Sequence, residues 1–119
     1  MLQGRNKVEI FVTGRFTALH KWGQAPEEVM FLRSLHRHEF HFKVFWEVGH
    51  SDRDLEFFIM KRKIANFVAV EFHEKDLGEK SCEMIAEIIM KKFDAARVEI
   101  SEDGENGAIC YSRSGESGI

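Results

Sequence analysis

Positions 35 to 48, Leu-His-Arg-His-Glu-Phe-His-Phe-Lys-Val-Phe-Trp-Glu-Val, constrain the fold of this chain more than any other stretch. Positions 38, 40, 42, 44, 46 and 48 read His, Phe, Phe, Val, Trp and Val. Positions 39, 41, 43 and 47 read Glu, His, Lys and Glu, with Phe45 the one apolar residue among them. Period-two alternation this rich in aromatic and β-branched residues predicts a half-buried antiparallel strand. His36 and His38 share a parity, so both leave one face of that strand, about 6.6 Å apart along it. One metal ion could collect both imidazoles at that separation.

The remaining elements are read around this strand. Lys7 to Thr13 predicts a first strand with Val8, Ile10 and Val12 on one face; it continues through Phe16 to His20 after a bend or bulge at Gly14. Residues 21 to 31, with Gly23 and the only proline, Pro26, form a loop with a helical turn at Glu27 to Met30. Gly49 to Asp52 supplies turn chemistry. Phe57, Met60, Ile64, Phe67 and Val68 then recur at spacings of three and four, the mark of an amphipathic helix. Ser81 is placed to cap a second helix, with Glu83 in its first turn and Ile85, Ile88, Ile89 and Phe93 as its apolar stripe. Arg97 to Glu102 alternates again, Gly104 to Gly107 reads as a hairpin turn, and Ala108 to Tyr111 as the return strand. The order β-β-α-α-β-β predicts one α+β domain over residues 1–119: a four-stranded antiparallel sheet with two helices on one face, and a flexible tail over 112–119.

Composition narrows the partners. A net charge of −3 with no basic stripe argues against nucleic acid. No apolar run approaches the ~20 residues that span a membrane, and the first residues lack the apolar core of a signal peptide. Cys82 and Cys110 are far apart and form no CxxC, so free thiols and a cytoplasmic setting are expected.

Three of the six histidines bunch at 36, 38 and 41. His20 ends the first strand, where an antiparallel neighbour could bring it beside His36 and His38. Three neutral imidazoles with a fourth position open would make a catalytic rather than a structural zinc arrangement. Polar residues at a strand entrance, hydrogen-bonded to backbone, are the alternative from spacing alone. His41 points to the opposite face, and His50 falls in a turn.

Five segments, in order from about Phe11 to Tyr111, resemble the 6-pyruvoyltetrahydropterin synthase family, which includes the 6-carboxytetrahydropterin synthases of the queuosine pathway. Phe16-Thr17-Ala18-Leu19-His20 is similar to its FxAAH segment, and Leu35-His36-Arg37-His38-Glu39-Phe40 to its LHGHxY/F segment. Asp54-Leu55-Glu56-Phe57 with Lys61 is similar to VxDFxxLK, Ser81 to Ala86 to PTxENxA, and Val98 to Glu102 to VxVxET with Tyr111 following. The resemblance implies a T-fold whose sheets join between subunits into a barrel, as a homo-hexamer built from two trimers with sites between subunits. It implies zinc held by His20, His36 and His38, and a lyase acting on dihydroneopterin triphosphate by metal-assisted proton abstraction, then triphosphate or C–C bond elimination. Glu102 matches the carboxylate that anchors the 2-amino-4-oxo edge of the pterin, a guanidine-like edge that can donate two parallel hydrogen bonds. Ser81, at the start of the matched helix segment, is the second expected substrate contact.

The pattern breaks at the base. The family's cysteine, four residues before the first histidine of HGH, is Leu32 here, and the glycine of HGH is Arg37. The nearest match to the family's Asp-His pair is His73-Glu74, which is expected to supply the proton relay. Glu27 and Glu28 lie in the loop where one branch of the family carries a glutamate instead. A non-catalytic relative that keeps zinc and a pterin-like ligand is the alternative function.

Overall fold

Strands built on the predicted alternation form the whole sheet. A computed structural model of the chain describes residues 6–113. The elements run β1 (Val8–His20), a 3₁₀ segment (Glu27–Arg33), β2 (His36–Val48), α1 (Phe57–Glu71), α2 (Cys82–Phe93), β3 (Arg97–Glu102) and β4 (Asn106–Tyr111). The four strands pair antiparallel in the order β1-β2-β3-β4. Both helices lie on the face that carries Val12, Phe16, Phe40, Phe42, Val44, Val98 and Ile100, and close the core there with Ile64, Val68, Ile85 and Ile89. This is the expected α+β architecture.

β1 differs from expectation in being continuous. Its pairing with β2 runs without a slip from Val8 opposite Val48 to His20 opposite His36. Gly14 faces Phe42, and the phenyl ring fills the place a Cβ would take. The glycine therefore admits an aromatic ring across the ladder and does not bend the strand. An unbroken ladder is what delivers His20 directly opposite His36.

Three other boundaries move. The turn after Pro26 continues to Arg33 as a 3₁₀ segment kinked at Val29. The last hairpin turns two residues earlier than predicted: Asp103 and Gly104 both adopt positive φ, 57° and 75°, and Glu105 N–H donates to the Glu102 carbonyl. Two left-handed central residues suit the twist of a hairpin, and Asp and Gly tolerate that conformation better than most. At the other end, Ser112 N–H donates to the Ala96 carbonyl, so the tail expected from 112 is still tied to the sheet at its first residue; its part from 114 to 119 lies outside the described residues.

Caps and cross-links hold the helices as the sequence chemistry suggests. The Ser81 hydroxyl accepts from Met84 N–H at the start of α2, and Glu56 accepts from Ile59 N–H at the start of α1. Trp46 donates its indole N–H to the Phe93 carbonyl at 3.0 Å, fixing the end of α2 to β2. Phe45, the apolar residue out of pattern, is buried on the helix-free face under the Arg97 guanidinium, 3.7 Å from its ring, and beside Phe11.

Candidate metal centre

The last residue of β1 and the first of β2 face each other, and the next even position of β2 joins them. His20, His36 and His38 thus meet on the helix-bearing face, with ring centroids 4.6, 5.0 and 5.5 Å apart. One ring nitrogen from each lies within 4.8 Å of the others. His20 is 6 % exposed, the one polar residue among the buried ones described.

Each ring is held from behind through Nδ1. His20 Nδ1 lies 2.8 Å from the Lys80 carbonyl oxygen, His36 Nδ1 2.9 Å from that of Ser34, and His38 Nδ1 2.6 Å from Asp103 Oδ2. These partners are acceptors only, so each Nδ1 donates to them, and in the neutral ring that leaves the lone pair on Nε2. Such outer partners are what orient histidines at metal sites. The carbonyl of Lys80 reaches His20 because residues 74 to 78 run along the outer edge of β1, where Leu77 N–H donates to the Leu19 carbonyl and Lys21 N–H to that of Gly78.

The lone pairs face a carboxylate. Glu102, opposite Phe40 in the sheet, brings Oε2 within 3.2 Å of His20 Nε2 and Oε1 within 3.4 Å of His38 Nε2. His20 Nε2 is buried and makes no hydrogen bond, so the approach of Glu102 lacks the direction a hydrogen bond needs. Acceptors turned toward one another around a buried nitrogen are unfavourable unless a metal ion or a proton lies among them. The donor set of three imidazoles is of the kind zinc takes. The residues present therefore fit a divalent metal.

A cavity of about 160 Å³ opens beside the histidines, walled by Lys21, Trp22, Leu32, Ser81 and Glu102. Leu32, standing where the resemblance places a cysteine base, contributes hydrocarbon to that wall. A larger hollow of about 410 Å³, along His41, Lys43, Glu99 and Ser101, lies on the opposite face of the sheet, away from the three histidines. Cys82 Sγ is 3.9 Å from Glu102 Oε2. Burial, with the charges of Glu102 and Glu83 added, pushes this thiol up to about 12. It stays protonated at neutral pH and cannot serve as the base.

His73 and Glu74 stand elsewhere in the chain. His73 Nδ1 accepts from Thr17 N–H at 3.3 Å, and Glu74 lies 3.6 Å from Arg37 and 3.8 Å from His73 Nε2. Arg37 alternates with His36 and His38, so it leaves the other face of β2. Within one chain, the His73-Glu74 pair occupies the outer edge of β1 and is not gathered with the three histidines. Glu27 and Glu28 begin the 3₁₀ segment and are exposed.

Asp103 is the participant the sequence reading missed. It sits in the hairpin turn, and its two oxygens take His38 Nδ1 and Glu39 N–H, the latter at 3.0 Å. Its carboxyl is held below the ordinary range, first by the hydrogen bond from the Glu39 backbone and then by that from His38.

No protein-family model matches the sequence, and a search of curated proteins finds no match. Solved structures do match. Caenorhabditis elegans 6-pyruvoyl tetrahydropterin synthase superposes with a TM-score of 0.71 at 15% identity, over 90% of this chain and 96% of that one. An uncharacterized protein from Wolinella succinogenes superposes with a TM-score of 0.73 at 12% identity, over 91% of this chain and 99% of that one. The chain has the fold of 6-pyruvoyl tetrahydropterin synthase, from one end of the sheet to the other.

Proposed function

We propose that this chain is a zinc-dependent enzyme of pterin metabolism, a lyase of the 6-pyruvoyl or 6-carboxytetrahydropterin synthase type. The observation that carries the reading is the trio His20, His36 and His38, gathered within metal-binding distance with each Nδ1 engaged, and with His20 and His36 lining a cavity. These three residues would hold the metal. Zinc, when bound, supplies Lewis acidity toward side-chain oxygens of dihydroneopterin triphosphate, which makes the neighbouring C–H easier to deprotonate.

The chain's own residues do the rest. Glu102, with both oxygens turned away from His20 and His38 once their Nε2 lone pairs are taken by the metal, accepts two N–H bonds from the 2-amino-4-oxo edge of the pterin, and this specifies the ring. Ser81, in the cavity wall, keeps its hydroxyl proton free for the ligand while its oxygen caps α2. Leu32 and Trp22 exclude water from the reacting carbon. His73 would accept the proton at Nδ1, giving up its hydrogen bond from Thr17 N–H, while Glu74 orients the ring at Nε2, the pair being delivered from the edge of β1 of one copy to the histidines of the next. That division of labour suits a homo-hexamer, two trimers with sites between subunits, in a cytoplasmic setting.

Incubation with dihydroneopterin triphosphate tests the enzyme reading: release of triphosphate or an aldehyde is expected. His73→Ala and Glu74→Gln should each slow it by about a hundredfold or more. Full rates in both variants would sink the relay. The hydrocarbon of Leu32 at the base position favours a second reading, a non-catalytic module that binds zinc and a pterin-like ligand. It predicts saturable pterin binding without any product.

A further inference from the structure

His38 differs from the other two histidines in what stands behind it. His20 and His36 rest on backbone carbonyls, whereas His38 Nδ1 meets a carboxylate, Asp103 Oδ2, at 2.6 Å. That carboxylate is itself fixed at three points. Asp103 Oδ1 accepts from Glu39 N–H at 3.0 Å, Asp103 N–H donates to the Glu39 carbonyl at 2.7 Å, and the residue sits in the left-handed region at φ 57°. The hairpin turn of β3 and β4 thereby grips the first residues of β2. Its position in the sequence, directly after Glu102, puts one carboxylate on each side of the His38 ring: Asp103 at Nδ1 and Glu102 at 3.4 Å from Nε2.

We propose that Asp103 is the positioning residue of the metal centre, holding His38 in the Nδ1–H tautomer and so presenting its Nε2 lone pair to a metal. The assignment rests on the metal reading above. It explains why an aspartate occupies a strained turn position that glycine or asparagine would fill as easily. It also gives the centre one buttressing charge besides Glu102, which raises the basicity of the ligand it orients.

Asp103→Asn separates positioning from mere turn formation. Asparagine accepts the same left-handed conformation, and its amide oxygen can still take the Glu39 N–H. Its NH₂ group would then face His38 Nδ1, where only an acceptor on the ring can receive it. The ring would be driven to the Nε2–H tautomer, which has no lone pair for the metal, the same reversal an Asp→Asn change produces behind other functional histidines. Two measurements follow, zinc affinity by chelator competition and the His38 tautomer by ¹⁵N ring shifts in the metal-free protein. The expected result is a zinc affinity about 10- to 100-fold weaker, with His38 no longer Nδ1–H and the melting temperature of the metal-free protein unchanged. Unchanged zinc affinity in Asp103→Asn overturns the proposal, whatever the tautomer. If the wild-type chain itself takes up no zinc, the metal reading fails, and the positioning role is then decided by the tautomer alone. A melting-temperature loss with the tautomer intact also overturns it, because a turn-forming role would do that.

Discussion

An imidazole nitrogen buried beside a carboxylate without a hydrogen bond between them gains when a cation, a metal ion or a proton, comes between the two, and His20 Nε2 is in that position. The identity of the three histidines was legible in the sequence, since parity fixes His36 and His38 on one face and the end of a strand is where His20 falls. Their outer partners were not legible. Asp103 reaches His38 across a hairpin 65 positions later, and the Lys80 carbonyl reaches His20 across 60; nothing local in the sequence marks such pairs. Cys82 carries the residue-scale prediction. Its folded pKa lies above the unfolded value of about 8.5, so the folded state keeps a proton that the unfolded state loses. Stability from this group is complete below pH ~8.5 and is lost as pH rises from there toward 12. Alkaline unfolding curves should therefore show a fall that Cys82→Ala reduces, and native Cys82 should react far more slowly with iodoacetamide at pH 8 than Cys82 in the denatured chain. Equal labelling rates would contradict the buried, protonated thiol.

At the scale of elements, alternation placed β2 and β3 within a residue of their observed limits, and the i, i+3, i+4 stripes placed both helices. Gly14 shows what alternation cannot convey. A glycine between two strand-like runs reads as a break, and only its partner across the ladder, Phe42, shows that it is a close-approach site. Likewise the turn at Asp103 and Gly104 was misplaced toward Asn106 and Gly107 because both pairs carry turn-forming residues; the register opposite Ser101 and Glu102 decides between them. Gly14→Val should lower stability by about 1–3 kcal/mol, as overpacking does where a ring must move. Denaturant melts with no loss would show that Phe42 yields freely and that β1 does not depend on this glycine.

The whole molecule is more extended than its length requires. Its radius of gyration is 16.0 Å and its long dimension 52 Å, against about 13.5 Å for the radius of a compact chain of this size. The β1–β2 ladder is thirteen residues long on each strand, and Phe31, Phe58 and Tyr111 are largely exposed. Among the described residues, β4 and the Val8–Arg15 part of β1 have no strand on their outer sides. Open sheet edges and exposed aromatic groups of this kind are one route to association. Sedimentation at micromolar concentration should give a mass near six times the 13.9 kDa chain. A single 13.9 kDa species would remove both the hexamer and the shared-site relay. Among the described residues no helix is long and apolar enough to cross a membrane.

The central claim, that three imidazoles prepared at Nε2 hold a metal, is tested most directly by titrating zinc into the metal-stripped protein calorimetrically, beside His20→Ala. One zinc per chain in the wild type, with binding abolished or weakened at least tenfold in the variant, is the predicted result. No zinc bound by the wild type, or identical binding in both proteins, would contradict it.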